Sequence, residues 1–151
     1  MVKFLIATHG HLAGGLKSTL QIILGEEAAA DVTALNLFVE ETPGAENAKA
    51  RIEGYFSKAG EEDQVVVFSD IMYGSVNQML MPYGDDERIF VLSGVNFPLI
   101  CEIVSAVVYS GETVSMEMLR EMVKKGREEL VFVNDAVKKE TKKDSEDSFF
   151  D

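Results

Sequence analysis

A single cysteine, three prolines and no tryptophan stand among the 151 residues of this chain. Cys101 has no second cysteine to pair with, so the fold gains nothing from an internal disulfide, and the composition suits a reducing compartment. Long apolar runs are also missing. A spanning helix takes ~20 apolar residues, whereas the opening MVKFLIATHG has only a short run before His9 and no small-residue cleavage site. That run reads as a strand, and a cytoplasmic protein is expected. Cations are scarce: 14 Lys and Arg face 26 Asp and Glu, a net charge of −12. Such a field repels phosphate backbones, which disfavours nucleic-acid binding and leaves a protein or small molecule as partner.

What is present is a chain of single-domain length, long enough to bury ~68–70% of its unfolded surface. Short apolar runs alternate with stretches of helical period. The runs are Val2 to Ala7, Val32 to Phe38, Gln64 to Ser69, Arg88 to Leu92 and Leu130 to Val133. Several are nearly continuous in Val, Ile, Leu and Phe, as in strands covered on both faces. Between them lie Leu12 to Leu24, Ala45 to Ala59, Ser75 to Met81, Pro98 to Tyr109 and Ser115 to Lys125. Gly25 and Gly60 follow two of these as helix stops, and Pro43 and Pro98 stand near helix starts. This alternation predicts an α/β fold: a doubly wound, mostly parallel four-stranded sheet in the order 2-1-3-4, with helices on both faces. One domain is expected over 1–135. The charged stretch 136–151 is expected to be a flexible tail, although Phe149 and Phe150 interrupt its polarity.

Open parallel sheets meet their ligands at the carboxyl ends of strands, where the strand order reverses. The residues to inspect are therefore Thr8-His9-Gly10-His11 after the first run, Asp70 to Asn77 after the third, and Ser93 to Pro98 after the fourth. If the first and third strands are neighbours, His9 and Asp70 emerge side by side. A carboxylate beside an imidazole fixes its tautomer and makes the far nitrogen a better nucleophile. Gly74 and Ser75 open the next helix, where free N–H groups suit an anion. A nucleophile, an orienting acid and an anion cradle are the parts needed to move a phosphoryl group.

Each part also has a plain structural use. A histidine at a strand end is often only hydrogen-bonded, Asp70 can cap the next segment, and Ser75 and Asn77 are common cap and turn residues. His9 and His11 have no third ligand at metal-binding spacing. Gly10 to Ser18 nearly imitates a phosphate-binding loop, but Leu16 separates Gly15 from Lys17, and the glycine spacing matches no dinucleotide fingerprint. No cofactor is expected.

FLIATHGHLAGGL, VVFSDIMYGSVNQ and LSGVNFPLICEIV, in this order, resemble the mannose-type enzyme IIA of the bacterial sugar phosphotransferase system over nearly the whole chain but the tail. The resemblance implies a phosphotransferase in which His9 accepts a phosphoryl group from the carrier HPr and passes it to a sugar-specific enzyme IIB. The membrane components IIC and IID would be reached only indirectly. It implies that Asp70 orients and polarises His9, that Ser75 stabilises the phosphoryl group, and that Thr8 belongs with them. Gly10, His11, Gly74, Asn96 and Pro98 would line the site. One departure stands out: many relatives have Thr-Trp-Gly-Gly before the serine, and Tyr73 here replaces a glycine. No enzyme IIB domain follows, so a freestanding subunit is expected. The resemblance further implies a homodimer that exchanges a late edge strand, for which Leu130 to Val133, after a hinge at Lys124 to Glu129, is the candidate. Two other readings stay open: the phosphotransfer subunit of a dihydroxyacetone-kinase-type or regulatory relay, and a non-catalytic acidic interaction module.

Overall fold

The structure is a computed structural model and describes residues 1–138. Its core is the parallel sheet of β1 (Val2–His9), β2 (Val32–Leu37), β3 (Gln64–Ser69) and β4 (Ile89–Ser93), in the order β2-β1-β3-β4. Parallel registers such as Ala7 opposite Leu35, Ala7 opposite Ser69 and Ser69 opposite Ser93 bring the strand C-termini to one edge.

Chain direction decides which helix covers which face. The step from β1 to β2 runs one way across the sheet, while β2 to β3 and β3 to β4 run the other. Right-handed crossovers then put the intervening helices on opposite faces. Accordingly α1 (Leu12–Leu24) packs on the face of Phe4, Ile6, Val66 and Phe68, whereas α2 (Ala45–Phe56) and α3 (Ser75–Leu80) cover Leu5, Ala7, Val65 and Val67. The first face is completed by α4 (Phe97–Ser110) and α5 (Met116–Glu128). With both faces covered, the central strands carry the unbroken apolar runs seen in the sequence. Among the described residues no helix is long and apolar enough to cross a membrane.

Most predicted elements appear within a few residues of their expected ends. A 3-10 turn at Met81–Asp85, absent from the sequence reading, extends α3 and is started by Pro82. The late apolar run differs more. Residues 130–132 form no strand, and a helical stretch begins at 133, where the Asp135 and Ala136 N–H groups donate to Phe132 O. The presumed hinge at Lys124 to Glu129 is largely the last part of α5. In the single chain this run pairs with no strand: Leu130 is 90% and Phe132 67% exposed. Isolated apolar residues take up strand structure only against a partner strand. Phe149 and Phe150, with most of the expected tail, lie outside the described residues.

Two buried hydroxyls, those of Tyr55 and Ser93, have no hydrogen-bond partner among the described residues. That of Tyr55 lies on the α2 face. Burial, followed by the charges of Asp63 and Asp31, pushes its pKa from 10.0 up to about 12. A raised pKa gives stability that is fully present below pH 10 and is lost as pH climbs toward that folded value. Tyr55→Phe removes the orphan group and keeps the edge-to-face contact with Phe56. It is expected to stabilise the fold by about 1 kcal/mol and to reduce the loss of stability above pH 10, as measured by urea unfolding at pH 7 and pH 11.

Candidate active site

At the switch point the last residue of β1, His9, lies beside the residue that follows β3, Asp70. Alternation along β1 sends Thr8 toward α1 and His9 toward the opposite face. One oxygen of Asp70, Oδ2, accepts both from the His9 backbone N–H (2.9 Å) and from its ring Nδ1 (2.9 Å). The other, Oδ1, accepts from the N–H of Ile71 (3.0 Å). On the far side of the ring, Nε2 lies 2.8 Å from Ser75 Oγ. The His9 side chain is 35% exposed and that of Asp70 is 10% exposed, so one ring edge faces solvent while its anchor is sheltered.

Burial works against ionisation of Asp70. It is outweighed by the hydrogen bonds from the His9 ring and backbone, the charge of His9 and the adjacent backbone N–H, which together hold the carboxyl below its ordinary range. Asp70 is therefore an anion at neutral pH and accepts at both oxygens. The hydrogen-bond network thus assigns the ring proton to Nδ1. In the neutral ring Nε2 then carries the lone pair, and the Ser75 hydroxyl can donate to it.

Two conformational features surround this ring. Phe38, just beyond β2, stacks on it at 5.4 Å between centroids and 19° between planes. Phe38 (φ 57°) and Tyr73 (φ 62°) are the two non-glycine residues with positive φ among those described; the first stacks on His9, and the second lies in the turn between Asp70 and Ser75, which both bond the ring. Strained backbone clusters where neighbouring structure dictates a particular placement. Gly74 meets a different need. A Cβ there would lie 3.1 Å from the Ile71 carbonyl oxygen, a tight contact, and 3.4 Å from His9 Cε1, so the turn passes close against the imidazole.

The remaining sequence candidates divide by location. Thr8 is fully buried, and its Oγ1 accepts from the Ala13 N–H (2.8 Å), which secures the start of α1 behind the site. Gly10 takes φ 60° to turn the chain out of β1, and its N–H donates to Leu37 O (2.8 Å). His11 is exposed, with Nδ1 3.5 Å from Asn36 Nδ2 and no carboxylate partner among the described residues. Asn96 caps α4 through Leu99 N–H (3.0 Å) and donates to Gly126 O (2.6 Å), while Pro98 is exposed in the first turn of α4. Neither is a hydrogen-bond partner of His9. Among the described residues, no group of three or more His, Cys, Asp or Glu is arranged to hold a metal ion.

The sequence reading overlooked Phe38 and left Asn77 undecided. Phe38 follows a strand at the same carboxyl edge, so inspecting the end of the second run as well would have included it. Nothing in the sequence shows its ring turning toward His9, because that orientation depends on the left-handed backbone at residue 38.

Comparison with known proteins agrees with this fold. The sequence profile of the family described as PTS system fructose IIA component matches residues 3–124. A structure from Klebsiella pneumoniae, described as a phosphoenolpyruvate-dependent sugar phosphotransferase system permease, superposes with a TM-score of 0.76 at 25% identity, covering 90% of this chain and 93% of its own. The PTS IIA protein associated with the fucose utilization operon of Streptococcus pneumoniae shares the fold at TM-score 0.76 and 22% identity, over 90% of this chain and 96% of that one. So does the mannose/sorbose specific IIA subunit of Enterococcus faecalis, at 0.68 and 22%, over 85% and 92%. No curated protein matches the sequence. With the profile spanning residues 3–124 over this sheet order, the chain belongs to the mannose-type enzyme IIA family, PTS system fructose IIA component, and is a phosphotransfer component of a sugar phosphotransferase system.

Proposed function

We propose that this chain is a cytoplasmic phosphohistidine carrier: His9 Nε2 takes a phosphoryl group from the phosphohistidine of HPr and hands it to an enzyme IIB. The observation that supports this reading most directly is the ring held at both nitrogens, by Asp70 at 2.9 Å and Ser75 at 2.8 Å.

The chemistry follows from those contacts. The Nε2 lone pair attacks phosphorus in line with the donor's P–N bond; that bond breaks as the new one forms, and its electron pair returns to the donor imidazole. Nε2 gives up the Ser75 hydroxyl as it bonds phosphorus, and the hydroxyl turns to a phosphoryl oxygen. The first N–H groups of α3, which opens at Ser75, have no acceptor within the helix and are further donors available near that oxygen. As the ring acquires positive charge with its proton still on Nδ1, the Asp70 carboxylate balances it. Holding donor and acceptor in line within a protein complex supplies most of the rate, since phosphoryl transfer needs little covalent help. Transfer onward to enzyme IIB is the same displacement in reverse. Incubation with phosphoenolpyruvate, enzyme I and HPr tests the reading: one acid-labile phosphate per chain is expected, and a chain that takes up none refutes it.

A homodimer belongs to this reading. β4 is an edge of the sheet, and beside it a groove of about 470 Å³ runs along Phe90, Leu92, Leu119 and Val123. Open apolar edges promote association, and the exposed run Leu130 to Val133 gives a second copy a strand to add there in a closed, two-fold arrangement. Sedimentation at micromolar concentration is expected to give twice the chain mass, and a monomer would remove the dimer from the proposal.

A further inference from the structure

Both groups that hold the His9 ring stand on one turn, Asp70 at its start and Ser75 at its end. The shape of that turn therefore sets the gap between Asp70 Oδ2 and Ser75 Oγ, into which the imidazole fits. Its own backbone does not favour the shape. Tyr73 lies at φ 62°, a left-handed conformation that crowds a side chain against the following carbonyl oxygen. The turn has to be braced from elsewhere.

Two side chains grip Tyr73. Gln78 Nε2 donates to its carbonyl oxygen (2.8 Å), but Gln78 is exposed and water can replace it. Asn77 Oδ1 accepts from the Tyr73 N–H (3.0 Å), and Asn77 is only 1% exposed. Its Nδ2 donates to Ser69 Oγ (3.2 Å), whose hydroxyl donates to Leu92 O (3.2 Å). Ser69 ends β3 and Leu92 lies in β4, so one buried amide links the turn to the sheet. The position calls for an acceptor and a donor at opposite corners of one short planar group. Asparagine has both, whereas an ionised aspartate lacks the donor and leucine lacks both.

We propose that Asn77 is a positioning residue for phosphoryl uptake: by bracing Tyr73 against the β3–β4 pair, it fixes the spacing of Asp70 and Ser75 across the His9 imidazole. This rests on the phosphocarrier reading of the same site. Asn77 does not touch the ring; it acts through Tyr73, and so its effect appears in the geometry of His9.

The test compares the wild-type chain with Asn77→Ala, Asn77→Asp and the double variant Asn77→Ala/Tyr73→Gly. Each is assayed for phosphate uptake from phosphorylated HPr and by ¹⁵N NMR of the His9 ring. Asn77→Ala is expected to slow uptake by about 10–100-fold, as small misplacements at a reacting centre do, and to shift the ring nitrogens away from the Nδ1–H tautomer. Glycine takes positive φ without a brace, so adding Tyr73→Gly is expected to bring the rate back to within about threefold of wild type. Asn77→Asp keeps the volume and the acceptor for the Tyr73 N–H but loses the donor to Ser69, and is expected to slow uptake and to shift the ring nitrogens in the same direction as alanine; it separates bracing from packing if the alanine variant does not fold. A folded Asn77→Ala with wild-type rate and ring shifts overturns the proposal. So does slow uptake that Tyr73→Gly fails to restore, or a folded Asn77→Asp with wild-type rate and ring shifts. If the wild-type chain takes up no phosphate, the carrier reading fails, and the ring shifts of the same variants still decide whether Asn77 braces the turn.

Discussion

Replacing His9 with alanine is expected to abolish acid-labile phosphate on the chain while leaving it folded. The first half follows from the absence of a substitute nucleophile. His11 is two residues away, but it is exposed, it faces an asparagine amide at 3.5 Å and it has no carboxylate among the described residues to fix its proton. Ser75 Oγ is close enough to the incoming group, yet with His9 gone no base remains beside it to take its proton, and an unactivated hydroxyl is a weak nucleophile. The second half follows from burial. The His9 side chain is 35% exposed, so truncation leaves an indentation open to water instead of a sealed cavity, and the main loss is the stack on Phe38. Such a change costs far less than truncating a buried core residue, about 3–5 kcal/mol for a phenylalanine. Mass spectrometry under basic conditions after incubation with phosphorylated HPr, together with a thermal melt, measures both halves. Label surviving on the variant would assign the carrier role to His11.

The second large effect is expected at Asp70. Asp70→Ala removes the acceptor of the His9 backbone N–H, of its ring Nδ1–H and of the Ile71 N–H together. The ring is then free to place its proton on Nε2, which removes the nucleophilic lone pair, and the phosphorylated ring loses its counter-charge. A positioned acid–base partner is worth 10²–10⁴-fold, so uptake should slow by about 100-fold or more, measured as the single-turnover rate from phosphorylated HPr. The fold is expected to persist, because the hydrogen bonds lost are exposed or only partly buried, and water can occupy the space the carboxylate leaves. Acid titration provides an independent check. The Asp70 pKa is depressed in the folded chain, so its contribution is present above the ordinary carboxyl value of 3.8 and is lost as pH falls through the folded value. The alanine variant should lack that part of the acid-induced loss. A variant that transfers at the wild-type rate would remove Asp70 from the mechanism.

These two residues show how much of the site was legible in the chain. His9 and Asp70 each follow an apolar strand, and strand ends of a parallel sheet converge at one edge, so their meeting required only that β1 and β3 be neighbours. Ser75 follows by the same reasoning, since it opens the helix after β3. Phe38 and Asn77 behave differently. Their parts depend on a left-handed backbone at residues 38 and 73, and side-chain identity does not encode φ at a phenylalanine or a tyrosine. Thr8 shows the opposite error. Its place next to His9 suggests a shared task, but alternation along β1 turns it to the other face, where it holds the start of α1.

From the sequence alone came the class of fold, the limits of most elements and the pair of residues around which the site is built, because these depend on period, strand-end placement and short-range chain chemistry. The tertiary structure alone decided which nitrogen of His9 is free, which side chains brace the turn beneath it and what becomes of Leu130 to Val133. Each of these depends on contacts between distant segments, where a few tenths of an ångström, or the presence of a pairing edge, outweighs local preference.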